Sequence, residues 1–103
     1  PNLVDFDRLA SFTDGDAALE AELFDLFVAT AARYLDELAL AAPRTDQWRA
    51  TAHSLKGAAA NIGATAVAEL AAKAEHAEPD PELLAALNAT FAATRAVFQQ
   101  QAA

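Results

Sequence analysis

The sequence predicts an all-α protein, an up-down-up-down four-helix bundle preceded by a short extra N-terminal helix. Apolar residues recur at helical spacing in every long segment, and no segment alternates with the period of a strand. Many of the apolar residues are Ala, the best helix former, whose small volume favours closely packed helices. Short connections between long amphipathic helices are typical of an up-down bundle.

Start and stop signals delimit the helices. The stretch Thr13 to Asp16 is the first break, and Gly63 lies where a helix C-terminus takes a left-handed residue. Asp80 at an N-cap, followed by Pro81 at the first helical position, is a strong start signal. These rules predict a short helix over residues 6–12 and long helices over 16–42, 45–62, 64–77 and 81–100.

The first long helix is apolar over a wider arc than burial of one face requires. Its apolar residues cover roughly 200°, about twice the usual width. The surplus either packs against the N-terminal helix or forms a docking surface, and additional core contact is the more common role for any one residue. The residues concerned are Leu19, Leu23, Leu26, Phe27, Tyr34 and Leu38, with Phe24, Val28 and Leu35 beside them.

Length and charge restrict the class of protein. The 103 residues predict a single domain over 1–103 with one modest core. The net charge of −8 disfavours nucleic acid and anionic membrane surfaces as partners. There is no apolar run of about 18 residues, no signal-peptide pattern and no Cys, so we expect a cytoplasmic protein without disulfides, and a monomer.

The helix predicted over 45–62 carries the residues with chemical potential. His53 projects about 140° from the centre of the buried stripe and therefore faces solvent. Arg49 and Lys56 lie beside it, while Gly57 and Ala60 continue the same exposed strip with little side-chain bulk. The buried stripe itself consists of Trp48, Ala52, Leu55, Ala59 and Ile62.

Two interpretations of this strip compete. In one, His53 is an ordinary exposed residue and Gly57 is incidental, although Gly inside a helix costs about 1 kcal/mol relative to Ala. In the other, Lys56 reaches a charged group carried on the imidazole, and Gly57 lets the backbone of another protein approach. Imidazole has a free ring nitrogen near neutral pH, so the strip suits a histidine that accepts a phosphoryl group from a docking partner.

The stretch "AHSLKGAAANIGA", residues 52–64, closely resembles the signature of histidine-containing phosphotransfer (HPt) domains. That signature is His-x-Leu-Lys-Gly, then small residues, then an aliphatic residue followed by Gly-Ala. The stretch "GDAALEAELFDLF" near the N-terminus, the Trp upstream of the His and the length of the last helix also resemble this family. The resemblance covers nearly the whole chain.

The resemblance implies a four-helix bundle in which His53 accepts a phosphoryl group on Nε2. Lys56 would stabilise that group, Gly57 would give clearance to the partner, and Arg49 would add positive charge. Family members often carry Ser after this Gly, whereas Ala58 follows here, which removes a possible hydroxyl hydrogen bond but not the nucleophile.

The resemblance also implies partners, namely receiver domains of response regulators or hybrid sensor kinases. The catalytic Mg²⁺ would belong to the receiver, and no metal or other cofactor is expected in this chain. No Gly-rich phosphate loop is present, so we expect a phosphocarrier without autokinase activity rather than an enzyme. Receivers would dock on apolar residues, for which the candidates are Leu9, Phe12, Phe24, Phe27, Val28 and Leu35.

Several alternatives stay open. The phosphoacceptor module of a chemotaxis-type kinase shares the bundle and the motif and is one alternative. A bundle that binds receivers without accepting phosphate is another. The helix pair of an ordinary sensor kinase fits poorly, because Ser54 and Gly57 replace its Glu and its Thr or Asn. A carboxylate-bridged metal site is disfavoured, since Ala50 and Lys73 stand where Glu-x-x-His would need Glu. His76 is interpreted as a solvated residue near a helix C-terminus.

Overall fold

The computed structural model describes residues 3–41 and 44–102, and within them it contains helices and no strand. The predicted all-α architecture is confirmed, and the predicted helix ends agree with the observed ones to within two residues wherever both are described. The predicted helix end at residue 42 lies outside the described residues, as do positions 1, 2, 43 and 103 of the predicted domain. The helices are α1 (Phe6–Thr13), α2 (Ala17–Ala41), α3 (Thr45–Asn61), α4 (Thr65–Glu75) and α5 (Pro81–Ala102).

Four helices surround the core. Helix α2 contacts α3, α3 contacts α4, α4 contacts α5, and α5 returns to α2, while α1 packs on α2. The centre is filled by small Ala residues and a few large side chains, which lets the helix axes approach closely. Across the described part of the chain, no helix combines the length and the apolar composition that a membrane crossing requires.

The wide apolar arc of α2 is mostly core. Phe24 stacks on Phe98 of α5 with ring centroids 4.2 Å apart. Phe27 meets both Phe91 and Phe98 edge to face, at 6.1 and 5.9 Å. Because α2 has α3 on one side and α5 on the other, it buries two adjoining faces, and this accounts for the arc of about 200°.

This packing corrects most of the predicted docking surface. Four of the six candidates are at most 5% exposed and cannot offer their side chains to a partner: Leu9, Phe24, Phe27 and Leu35. Val28 is half-buried in a groove beside Arg95 and Gln99 of α5, a helix that does not carry His53. Phe12 alone among the six is largely exposed, at 64%.

The N-terminal segment is anchored on the connection between α3 and α4. The Asp5 N–H donates to the Gly63 carbonyl oxygen at 2.7 Å, and the Asp5 side chain caps α1 by accepting from the Arg8 N–H at 3.1 Å. Gly63 has φ +77°, and a Cβ there would lie 2.6 Å from the Asp5 carbonyl oxygen. The glycine is therefore required both by its backbone conformation and by the close approach of the N-terminal segment.

Candidate functional site

His53 lies near the middle of α3 with its side chain 67% exposed. The opposite face of the helix is buried, as the helical wheel predicts, because Trp48, Ala52 and Leu55 pack into the core. The imidazole therefore extends into solvent from a rigid helix. This placement makes the ring accessible to a second protein without any rearrangement of the bundle.

Glu75, in the last turn of α4, connects His53 to Lys56. Its Oε1 lies 2.8 Å from Nδ1 of His53, and its Oε2 lies 2.8 Å from Nζ of Lys56. The second contact is a close ion pair. The pKa of Glu75 lies below its usual value of 4.5, mainly because of the Lys56 ammonium and to a smaller extent because of the hydrogen bond with His53.

The bond to Glu75 decides which ring nitrogen is free. An ionised carboxylate can only accept hydrogen bonds, so Nδ1 of His53 must carry the proton that it donates to Glu75. In the neutral imidazole the other nitrogen, Nε2, then keeps its lone pair. The lone pair of a solvent-exposed Nε2 is what nucleophilic attack by a histidine requires.

The surface next to His53 is open at Gly57, and Arg8 reaches it only one turn further, at Ala60. Gly57 is exposed, and a Cβ built on it would meet no atom within 4 Å, so packing within this chain does not require glycine. Ala60, one turn further, is exposed as well, and its carbonyl oxygen accepts from Nε of Arg8 at 3.0 Å. The open surface next to the imidazole is thus kept at a helix-propensity cost of about 1 kcal/mol.

Arg49 is held away from the Glu75 bridge. Its Nη2 lies 3.3 Å from Oε1 of Glu78, which follows α4, and Oε2 of Glu78 accepts from the Thr45 hydroxyl at 2.8 Å. The structure therefore brings His53 and Lys56 together on one carboxylate and places Arg49 on another.

Comparison with known proteins identifies the family of this helical bundle. The family model described as Hpt domain matches residues 22–97, which include α3, α4 and most of α2 and α5. The chain belongs to the Hpt family. A search of curated proteins finds no match.

The Hpt domain is also similar to a solved structure, histidine-containing phosphotransfer protein B (HptB) from Pseudomonas aeruginosa PAO1. The two are 29% identical with a TM-score of 0.89, and the match covers 97% of this chain and 94% of that chain. The predicted family membership is confirmed, and histidine phosphotransfer in a phosphorelay is the function of this domain.

Sequence analysis of the Hpt domain missed Glu75 and Glu78. A usable signal existed in the spacing, because His53 lies eleven residues before Ala64 and Glu75 eleven residues after it. Two antiparallel helices joined at Gly63 and Ala64 bring residues at equal distances from the turn to the same level. The helical periodicity of α4 alone identifies Glu75 only as a polar residue.

Proposed function

We propose that His53 is the phosphoryl acceptor and donor of this Hpt domain, exchanging the group with receiver-domain aspartates through Nε2. One observation carries the proposal: the imidazole is 67% exposed and has its Nδ1 bonded to Glu75, so Nε2 keeps its lone pair. The open surface at Gly57 gives the receiver's active site access to that atom.

The transfer is an in-line displacement at phosphorus. The Nε2 lone pair of His53 forms the N–P bond while the bond between phosphorus and the receiver's aspartate oxygen breaks, and its electron pair leaves with the carboxylate. The His53 ring becomes cationic because it keeps the Nδ1 proton, and the Glu75 carboxylate 2.8 Å away stabilises that charge. The reverse transfer restores the neutral imidazole.

Lys56 supplies the charge that the phosphoryl oxygens need. Its side chain is 35% exposed, and its ammonium is paired with the Glu75 carboxylate. A lysine on a flexible four-carbon stem can turn from Glu75 toward a phosphoryl group on the neighbouring imidazole. In-line transfer depends mainly on positioning and charge neutralisation, and these residues provide both.

The receiver docks, in this proposal, on an apolar groove between α1, α2 and α3. The groove runs along α3 beyond His53, where Ala58, Asn61 and Ile62 line it. Phe12 and Leu26 stand at its edges and are 64% and 63% exposed, which is unusual for side chains of this size. Leu26 thus takes the docking role that the sequence assigned to its buried neighbours on α2.

The proposal also covers the oligomeric state, location and partners of the domain. It acts as a monomeric, cytoplasmic phosphocarrier without autokinase activity, and the Mg²⁺ for the reaction belongs to the receiver. The net charge of −8 supports a protein partner rather than nucleic acid or an anionic membrane.

The test is transfer of labelled phosphate from phosphorylated receivers. The chain contains two histidines, His53 and His76, so His53→Gln and His76→Gln form a matched pair. We expect acid-labile, alkali-stable label on the wild type and on His76→Gln, and none on His53→Gln. Equal labelling of His53→Gln would move the acceptor elsewhere. Receiver binding without label on the wild type would instead indicate an adaptor.

A further inference from the structure

We propose that His76 binds the phosphoryl group carried by His53 and, when protonated, shifts the transfer equilibrium toward the phosphorylated Hpt domain. This inference rests on the proposed role of His53. It starts from a juxtaposition: the two imidazoles line one open depression between α3 and the end of α4. Arg49, Ala50 and Ser54 complete the α3 side of this depression.

The position of His76 is set by the same turn that positions Glu75. His76 directly follows Glu75 at the C-terminal end of α4, where its backbone N–H donates to the Lys73 carbonyl oxygen at 3.2 Å. The side chain of His53 leans toward the N-terminus of α3, as helical side chains do, and so lies over the turn that contains Arg49 and Ala50. A phosphoryl group on the His53 ring, which Lys56 can reach from the C-terminal side, then borders the depression that both rings line.

The carboxylates near His76 are already engaged. Glu75 faces His53 with Oε1 and Lys56 with Oε2. Glu78 faces Arg49 with Oε1 and Thr45 with Oε2. In the described chain, no hydrogen bond or ion pair of the His76 side chain is present, and the ring is exposed. His76 is therefore available to an anion that arrives in the depression.

The negative charge of the phosphoryl group gives the position of His76 a functional consequence. Phosphotransfer brings an anionic group into a protein whose net charge is already −8. Imidazole is the side chain whose charge changes near neutral pH, and the protonated ring offers a positive charge and a second N–H donor. A protonated His76 donates to a phosphoryl oxygen, whereas a neutral one contributes no charge. The phosphorylated domain is thus favoured more strongly at pH 6 than at pH 8.

Two variants separate this charge effect from other effects of pH. His76→Gln keeps a polar side chain that stays neutral, and His76→Lys carries a charge at both pH values. Each protein is loaded with phosphoramidate, mixed with the same receiver at pH 6 and at pH 8, and the ratio of phosphorylated domain to phosphorylated receiver is measured. Division by the wild-type ratio at the same pH removes the receiver's own pH dependence. Urea denaturation verifies that each variant is folded.

At pH 6 we expect His76→Gln to retain about threefold less phosphate than the wild type, the size of a solvent-exposed charge interaction. At pH 8 the two should be equal, and His76→Lys should exceed both. Equal ratios for His76→Gln and the wild type at both pH values, with label still on His53, would overturn the role of His76. Absence of label on wild-type His53 would overturn the proposed function itself.

Discussion

Nε1 of Trp48 donates a 2.8 Å hydrogen bond to the carbonyl oxygen of Ala74. This buried bond joins α3 to α4 at the level of the site, because Ala74 directly precedes Glu75 and Trp48 lies five residues before His53. This buried bond therefore sets the height of α4 relative to α3. It thereby also sets the 2.8 Å contact between His53 and Glu75.

Replacing Trp48 with Phe should destabilise the domain. The substitution removes the bond to Ala74 and leaves part of the indole volume empty, for a total loss of about 2 kcal/mol. The free energy of unfolding in urea measures this loss. Thr45→Val is the control, because its hydroxyl bond to Glu78 joins the same region at the surface and should change stability by less than about 0.5 kcal/mol. Equal losses in the two variants would contradict a special role for the indole.

Alanine substitutions at two glycines should have opposite effects on stability. Gly57→Ala should stabilise the domain by about 1 kcal/mol, since the residue is helical and its Cβ meets no atom within 4 Å. Gly63→Ala should destabilise it by about 2 kcal/mol or more, since φ is +77° and the Cβ would lie 2.6 Å from the Asp5 carbonyl oxygen. Thermal unfolding of both variants checks the signs. A stability loss in Gly57→Ala would show that this glycine serves packing.

A larger residue at Gly57 should separate stability from transfer. Gly57→Gln is expected to keep or raise the free energy of unfolding while slowing phosphotransfer about tenfold or more, because the side chain obstructs the receiver next to His53. Gly57→Ala, which adds a single methyl group, should slow transfer less. Rates are measured by quenched transfer from a phosphorylated receiver, and an unchanged rate in Gly57→Gln would refute the clearance argument.

Loss of the Glu75 charge should affect both transfer and the pH dependence of stability. Glu75→Gln removes the carboxylate that, in the proposed transfer, stabilises the cationic ring, and it should therefore slow transfer. Because Lys56 and then His53 lower the pKa of Glu75, its ionised form contributes stability above the unfolded-state pKa near 4.5, and this contribution is lost as pH falls through the folded-state pKa.

Urea denaturation between pH 7 and pH 3 measures that contribution. The wild type should be more stable than Glu75→Gln at pH 7, and the difference should shrink as the pH falls below the unfolded-state pKa near 4.5. Glu69→Gln, on the exposed side of the same helix, controls for the general removal of one negative charge. A difference that persisted unchanged at pH 3 would contradict the coupling of Glu75 to Lys56 and His53.

The apolar groove should be needed for receiver binding. Phe12→Ser and Leu26→Ser each remove an exposed apolar edge and should weaken binding to a receiver about tenfold, with little change in folding stability. Leu19→Ser, in the first turn of α2 and 37% exposed, is the matched control outside the groove. Binding titrations with a partner receiver provide the measurement, and equal weakening by all three variants would argue against this docking site.

The helices and the orientation of His53 could be predicted from the sequence alone. Helix starts and ends depend on local signals, such as Asp80 and Pro81 or the glycine at position 63, and the exposed face of α3 follows from the positions of Trp48 and Leu55. These features need only the 3.6-residue period and the neighbouring residues, so they could be predicted without knowledge of the packing.

The contacts between residues of different helices could not be predicted in this way, because they depend on how the helices pack. Whether Phe27 packs in the core and Leu26 faces solvent depends on the placement of α2 between α3 and α5, and a shift of one residue turns a helical side chain by about 100°. Glu75 meets His53 because the Gly63 turn and the Trp48 bond set the level of α4 against α3. Such contacts depend on the relative height and rotation of whole helices, a property that no single helix encodes.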